Sequence, residues 1–328
     1  MNKPLNAVNA VRDGLHNTSR WKAWEPVFWL LALASPFVLG SHALIINEIA
    51  IVALFAVSLD LVLGYSGIVS LGHAAFFGTG AYVAALFCKL VMPDPLAGLA
   101  VAIVVSTILG AICSLTVLRG SDLTRLMVTL GVALLLLELA NKFSEITGGA
   151  DGLQGVVMGP LLGRFEFDLS GRTAACYSLV VLLIFFVLAR RLAKSPFGAT
   201  LMAIRDNRLR AMAIGIPVSA RLAAVYAIAA GVAGGAGALL AQTTGFASLD
   251  VFAFDRSADV MLLLVIGGTG WLYGGVAGAI VFKIMQDTIS TITPQYWTFW
   301  IGLFLVVLML VGRERMLSPW TWFKRGSA

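Results

Sequence analysis

The stretch LAAVYAIAAGVAGGAGALLAQTTGFASL, Leu222 to Leu249, contains no charged residue. A helix needs about 20 predominantly apolar residues to cross the hydrocarbon core of a bilayer, so this stretch is long enough to span a membrane. Leu96 to Leu118 is also uncharged, and Thr173 to Ala189 and Trp297 to Gly312 are shorter uncharged stretches. The chain is therefore expected to cross a membrane several times.

The composition excludes a water-soluble protein. Hydrophobic residues make up 59% of the 328 residues and charged residues only 12%, whereas soluble domains carry about 25% charged residues. The sequence thus predicts an all-α, polytopic helical membrane protein in contact with membrane lipid. The net charge of +6 lies mainly in short connections between apolar stretches, where basic residues fix the orientation. It does not predict a nucleic-acid partner.

About ten transmembrane helices are predicted. The glycine-rich stretch Gly267 to Gly275 predicts a tight turn between the eighth and ninth, and a single helix through 258–282 is the alternative. With ten helices and a cytoplasmic N-terminus, 17 of the 23 basic residues face the cytoplasm, and the alternative reduces this number to 13. The positive-inside rule therefore favours ten spans with both termini cytoplasmic. The predicted spans are 27–41, 45–64, 68–91, 96–118, 126–144, 174–191, 221–242, 255–268, 274–291 and 297–312.

These spans divide the chain into three parts. Residues 1–26 form a cytoplasmic N-terminal segment, residues 27–312 a transmembrane domain, and residues 313–328 a cytoplasmic tail. Within the transmembrane domain, residues 192–220 form a cytoplasmic segment. Small residues at four-residue spacing predict close helix packing in two places: Ala227, Gly231 and Gly235, and Gly270, Gly274 and Gly278.

The cytoplasmic segment contains SPFGATLMAIRDNRLRAMAIGIPV, Ser195 to Val218. Ser195 is a suitable N-cap, Pro196 suits the first helical position, and Gly215 is a plausible helix end. The segment is predicted to form one basic amphipathic helix, which lies on the membrane surface or inserts into a groove of a soluble partner. Its apolar residues at helical spacing are Phe197, Leu201, Ile204, Leu209 and Met212.

Two polar stretches are candidates for a translocation path. In Ser70-Leu71-Gly72-His73, the histidine either holds helices together or lines the path, because it is costly in lipid. A helix start near Gly67 to Gly72 also favours a substrate carboxylate. The stretch Thr147 to Gly152 is either a structural turn or part of an external platform or path. The candidate path residues are Ser70, Gly72, His73, Thr147, Gly148 and Asp151.

Ionisable residues within predicted spans support a rival class of protein. Asp60 and Glu138 are the most deeply placed, and a proton-coupled secondary transporter or a channel would use one of them. Lys283 and Asp287 are four residues apart and can pair on one helix. Cys88, Cys113 and Cys176 lie in apolar stretches, so packing is favoured over a metal site. No GxxxxGK[ST] phosphate loop is present, and no catalytic residue or bound cofactor is predicted.

Four stretches, taken in order, resemble permeases of branched-chain amino acid ABC importers of the LivM type. GYSGIVSLGHAAFFGTGAYVAALF (64–87) is similar to the segment that opens the permease core, and ITGGADGLQGV (146–156) to the loop between the fifth and sixth spans. Ser195 to Val218 resembles the coupling segment, and SADVMLLLVIGGTGWLYGGVAGAIV (257–281) the late glycine-rich hairpin. The resemblance covers about residues 45–312. The chain departs from it at Arg208, where the family often has an acidic residue.

The resemblance implies a permease subunit, not an enzyme, that moves branched-chain or related amino acids across a bacterial inner membrane. The partners implied are ATP-binding cassette ATPase subunits that use the ATP, a second homologous permease and a periplasmic solute-binding protein. A permease of the same superfamily for urea, short amides or small carboxylates is the alternative. The implied ATPase-coupling residues are Ser195, Pro196, Phe197, Gly198, Ile204, Arg205, Asp206, Asn207, Arg210 and Gly215.

Overall fold

The structure is a computed structural model that describes residues 21–120, 122–168 and 170–311. Within these residues the chain is helical, and its β-type pairing is confined to the isolated bridges Leu153–Ala247 and Leu161–Phe165. The predicted all-α class is confirmed. Most of the predicted N-terminal segment and the whole predicted C-terminal tail lie outside the described residues.

The helices follow the predicted apolar stretches closely, with α6, α8 and α9 as short helices between them. Short 3₁₀ turns occupy Gly40–His42, Gly149–Asp151 and Leu249–Phe252. The helices are α1 (Trp24–Val38), α2 (Ala43–Ser66), α3 (Ala74–Leu90), α4 (Pro95–Val117), α5 (Asp122–Lys142), α6 (Ser144–Thr147), α7 (Arg172–Ala193), α8 (Pro196–Asp206), α9 (Arg208–Ala213), α10 (Val218–Thr244), α11 (Phe254–Gly267), α12 (Leu272–Ile292) and α13 (Trp297–Val311).

Five described helices are long and apolar enough to cross a membrane: α2, α4, α5, α7 and α10. The pair α11 and α12 meets the same criterion jointly but is bent by 109°, which gives up to six such elements, and α1 and α3 are shorter apolar helices. A multi-pass membrane protein is therefore confirmed. Ten spans with cytoplasmic termini remain a prediction.

The turn between α11 and α12 agrees with the predicted glycine turn. Gly268 and Gly270 have φ angles of 97° and 76°, a region that glycine adopts without steric cost. The alternative of one helix through 258–282 is wrong. Across this turn, a Cβ at Gly278 would overlap the backbone of Leu263, so the predicted small-residue spacing on α12 does permit a close helix crossing.

The two ends of the helical bundle differ in character. At one end the start of α1 meets the end of α7 through a buried ion pair, with Arg190 Nη1 lying 2.7 Å from Glu25 Oε2. We call this end the basic face, because α8 and α9 lie beside it. At the other end, which we call the loop face, Tyr177 donates a hydrogen bond of 3.0 Å to Gln242, and Gln242 donates one of 2.7 Å to the carbonyl of Pro95.

Helix α10 lies at the centre of the bundle, packed against α3 and α4. A Cβ at Gly80 of α3 would overlap the backbone of Gly234, and one at Gly237 would overlap that of Phe77. Lipid tails are as apolar as the side chains, so helices associate in a membrane through packing and hydrogen bonds. Because Gly80 and Gly237 have no side chain, the backbones of α3 and α10 approach closely enough for that packing.

Polar contacts join the flanking helices to this centre. Ser178 of α7 donates a hydrogen bond of 2.6 Å to Asn47 of α2, which donates one of 3.0 Å to Thr243 of α10. Lys283 of α12 pairs with Glu48 of α2 at 2.8 Å, rather than with Asp287 as its spacing suggested. Helix α2 is thus fixed to three of its neighbours through side chains near the loop face.

Replacing Gly80 with alanine is expected to destabilise the protein by about 1–3 kcal/mol, because the new methyl group overpacks the contact with α10. Without the overlap, alanine would stabilise the helix by about 1 kcal/mol relative to glycine. A loss of stability in Gly80→Ala is therefore due to packing. The matched control is Gly131→Ala on α5, where a Cβ meets nothing within 4 Å. Thermal unfolding in detergent tests this expectation, and equal melting temperatures for Gly80→Ala and the unmodified protein would contradict it.

Candidate functional site

The segment after α7 forms two short helices rather than the single helix predicted from its periodicity. The predicted start is confirmed, since Ser195 Oγ accepts a hydrogen bond of 3.4 Å from Gly198 N and Pro196 occupies the first turn. The break falls at Asn207, whose backbone is extended at φ −158° and ψ 104°. Its Oδ1 accepts a hydrogen bond of 2.9 Å from Arg210 N. Asparagine favours the N-cap position, so Asn207 ends α8 and begins α9.

One side of this segment faces the bundle. Leu201 and Ile204 are buried, and Phe197 lies under the guanidinium of Arg221, whose Cζ is 5.3 Å from the ring centre. A Cβ at Gly198 would overlap the backbone of Ala193 at the end of α7. The segment therefore folds back tightly against the end of α7.

The other side exposes apolar side chains next to charged ones. Leu209 is 75% exposed and Ile214 is 70% exposed, and Met202 and Met212 are also exposed. Asp206, Asn207 and Arg210 of the same segment are exposed as well, and Gly215 ends the segment with a φ of 85°. Exposed apolar patches bordered by polar residues are typical of protein–protein or membrane contacts. We call this surface the docking face.

Arg205, at the end of α8, contacts the end of α2. Its Nη1 donates a hydrogen bond to the carbonyl of Gly64, in the last turn of α2, where carbonyls lack partners within the helix. The stem of Arg205 lies across Gly67, because a Cβ at Gly67 would be 3.0 Å from Arg205 Cγ. Gly67 ends α2 with a φ of 72°, a conformation that glycine favours.

Asp60 extends this contact to the turn between α11 and α12. It is fully buried in α2, and its Oδ1 accepts a hydrogen bond of 2.7 Å from Gly270 N. A Cβ at Gly270 would lie 3.2 Å from Arg205 Nη1 and 3.4 Å from the Gly64 carbonyl oxygen. Asp60, Gly64, Arg205 and Gly270 thus form one cluster, which we call the Arg205 junction. It connects α8 to α2 and to the α11–α12 turn.

The candidate path residues before α3 are enclosed by protein. His73 is fully buried, and its Nε2 lies 2.9 Å from Ser58 Oγ. Ser70 is buried too, and a Cβ at Gly72 would overlap the backbone of Thr129. The helix begins at Ala74, later than the predicted start near Gly67 to Gly72, and Ala74 N donates a hydrogen bond of 2.9 Å to Ser257 Oγ. A role for these residues in the path remains a prediction.

The second group of candidate path residues lies apart from the first. Thr147 Oγ1 donates to the carbonyl of Ala140 at 2.5 Å, and Gly148 has a φ of 79°. Asp151 is exposed on this loop. Gly72 lies against Thr129 of α5, and Thr147 contacts Ala140 of the same helix. These two positions of α5 are about 16 Å apart at 1.5 Å per residue. The structure therefore does not bring the two groups together.

The two carboxylates proposed for a carrier occupy different surroundings. Asp60 belongs to the Arg205 junction and already accepts a backbone hydrogen bond. Glu138 is exposed on α5, next to the exposed Leu134, Leu135 and Leu139. Glu138 therefore lies on the outer surface of this chain rather than in its interior.

The helical bundle defines a class of protein: a multi-pass membrane protein that exposes apolar and charged side chains together on its basic face. Comparison with known sequences makes this class specific. The family described as branched-chain amino acid transport system/permease component matches residues 42–311. The chain belongs to this family and is a permease component of an ABC-type transport system.

Individual relatives agree with this assignment. The chain is 28% identical to the high-affinity branched-chain amino acid transport system permease protein LivM of Salmonella typhimurium, over 93% of this chain and 76% of the relative. It is 26% identical to the protein of the same name in Escherichia coli, with the same coverage. It is also 26% identical to the autoinducer 2 import system permease protein LsrD of Salmonella typhimurium, over 88% of this chain and 89% of the relative. No solved structure matches the chain.

Proposed function

We propose that this protein is the membrane-spanning permease subunit of an importer for branched-chain or related amino acids in a bacterial inner membrane. A separate ATP-binding cassette ATPase docks on α8 and α9 and supplies the energy, and this chain binds no cofactor itself. A second homologous permease and a periplasmic solute-binding protein complete the importer. The observation that carries this proposal is the docking face, which is exposed on one side and joined to the transmembrane helices on the other.

The Arg205 junction supplies the mechanical step of this proposal. Movement of the ATPase displaces α8, and Arg205 passes the displacement to the end of α2 through the Gly64 carbonyl. Asp60 and Gly270 pass it on to the turn between α11 and α12. A ligand must favour one conformation of a gate by about 5.5 kcal/mol to change the ratio of its two conformations from 1:99 to 99:1. The free energy gained when a partner buries several exposed apolar residues is of this order.

The relatives support the substrate class of this proposal. Both LivM proteins are named as branched-chain amino acid permeases. More distant relatives are named as permeases for autoinducer 2 and fructose, so the family is not restricted to amino acids. Urea, short amides and small carboxylates are the alternative substrates. Ser70, Gly72, His73, Thr147, Gly148 and Asp151 stay our candidates for the path.

Replacing Leu209 with aspartate is expected to lower the amount of ATPase that copurifies with the tagged chain by about 10-fold or more. Burial of a leucine contributes about 1.5–3 kcal/mol, and 1.4 kcal/mol corresponds to a factor of ten. The measurement is a pull-down from native membranes in mild detergent. The matched control is Val157→Asp, since Val157 is 72% exposed but lies in the segment between α6 and α7, outside the docking face. Unchanged copurification in Leu209→Asp, or an equal loss in both variants, would refute docking at this face.

Replacing Arg205 with glutamate is expected to leave the ATPase bound and abolish ATP-driven uptake. Glutamate cannot donate a hydrogen bond to the Gly64 carbonyl, and it places a negative charge beside Asp60. Arg205→Lys keeps a positively charged group that can donate a hydrogen bond, and it is expected to retain part of the uptake activity. Uptake of labelled leucine and of labelled urea into proteoliposomes with the complete importer measures both activity and substrate class. Full uptake by Arg205→Glu would rule out the junction as the coupling element.

The rival class of secondary transporter gives a different expectation for the carboxylates. In an ATP-driven permease, Asp60→Asn keeps an oxygen that accepts the Gly270 hydrogen bond, and Glu138→Gln changes an exposed position. We therefore expect uptake within about twofold of the unmodified protein for both variants, which corresponds to about 0.4 kcal/mol. Uptake by the chain alone along a proton gradient, lost in either variant, would establish the rival class instead.

A further inference from the structure

Two adjoining cavities lie on the basic face where α1 begins and α7 ends. One has a volume of about 380 Å³ and the other of about 310 Å³. They share Trp21, Arg190 and Lys194 as lining residues, and the larger one extends to Tyr65 and Trp271. We call these two spaces the α1–α7 pocket. Neither the docking face nor the candidate path includes it.

The charges around the α1–α7 pocket are mainly positive. Glu25 is the one carboxylate among the described residues that line it, and it is paired with Arg190 at 2.7 Å. Lys22, Arg191 and Lys194 add three exposed cations to the same lining. Among the described residues, the lining therefore carries an excess of positive charge that an anion would balance.

The cations are close enough to oppose one another. Burial and the charge of Arg190 lower the pKa of Lys194, Lys22 lowers it further, and Glu25 acts in the opposite direction. A lysine placed among other cations is destabilised in its charged form. An anion in the pocket would relieve this repulsion, so the charge of the lining favours occupation by a negatively charged ligand.

The aromatic residues around the pocket indicate what kind of anion it takes. Trp21 and Trp24 are each 45% exposed and Trp271 is 51% exposed. Trp24 also packs on Tyr273 with ring centres 4.8 Å apart. Tryptophan and tyrosine concentrate at the level of the lipid headgroups. The aromatic lining is therefore typical of the level at which the headgroup of a phospholipid and the start of its acyl chains are found.

We propose that the α1–α7 pocket binds the phosphate headgroup of an anionic phospholipid from the leaflet at the basic face. Basic pockets between transmembrane helices are known to bind such headgroups. The phosphate lies between Lys22 and Lys194, and the acyl chains leave along the exposed apolar side of α7, which includes Ile184 and Leu188. This binding is independent of the proposed transport function.

The position of the pocket connects it to the Arg205 junction. Tyr65 follows Gly64, Trp271 follows Gly270, and Lys194 precedes the cap of α8 at Ser195. A lipid bound there contacts the base of α8 and the elements on which Arg205 acts.

Native mass spectrometry of the purified full-length chain, titrated with phosphatidylglycerol or phosphatidylcholine, tests the proposal. The unmodified protein is expected to retain phosphatidylglycerol preferentially, and the double variant Lys22→Gln/Lys194→Gln to bind it about 30-fold more weakly. This factor equals about 2 kcal/mol at 1.4 kcal/mol per factor of ten, for about 1 kcal/mol per lysine. The charge-preserving variant Lys22→Arg/Lys194→Arg is expected to bind normally.

A charge-matched control and a soluble competitor complete the design. The control variant Lys142→Gln/Arg164→Gln removes two exposed cations outside the pocket. It is expected to retain phosphatidylglycerol in preference to phosphatidylcholine. Equal retention of both lipids, or equal loss in the test and control variants, would overturn the proposal. Millimolar glycerol phosphate is expected not to displace the lipid, and full displacement would reassign the pocket to a soluble phosphate. Unchanged thermal unfolding of the lysine variant confirms that it is folded.

Discussion

The close contact between the backbones of α3 and α10 is the constraint on which the bundle depends. Lipid offers no hydrophobic reward for bringing apolar helices together, so the helices must gain stability from dense packing and from hydrogen bonds. Gly80 and Gly237 permit that density, because neither position has room for a methyl group. The resulting core is rigid, and packed cores respond to force by shifting between discrete arrangements rather than by deforming.

This rigidity gives the Arg205 junction its importance in the proposed coupling. A displacement of α8 would be absorbed locally if the segment were held only by apolar contacts. Arg205 instead bonds to the backbone of α2, and α2 is fixed near its other end to α7 and α10 through Asn47. Force applied at α8 therefore acts on a helix that is held at both ends, and Asp60 extends the same force to the α11–α12 turn.

Much of this structure could be predicted from the local chemistry of its side chains. The contacts between residues far apart in the sequence could not. Ser195 and Pro196 mark a helix start from their own side-chain properties, and the glycines near 270 mark a turn in the same way. The break at Asn207 was missed although asparagine is a good N-cap, because the apolar spacing of Leu201, Ile204 and Leu209 continues across it. The hydrogen bond that Gly270 N donates to Asp60 joins residues that are 210 positions apart, and no local pattern in the sequence records such a pairing.

The break at Asn207 also divides the proposed coupling segment into two parts with different contacts. Arg205 lies before the break and contacts the transmembrane helices, whereas Leu209 and Ile214 lie after it and are exposed. The sequence of α9 and the surface of a partner can therefore change together, while the contacts of α8 with the transmembrane helices stay the same. Arg208, where the sequence departs from the resemblance described above, falls on the α9 side of this division. Under the proposed function, this chain would therefore fit a differently charged ATPase while it keeps the same junction to α2.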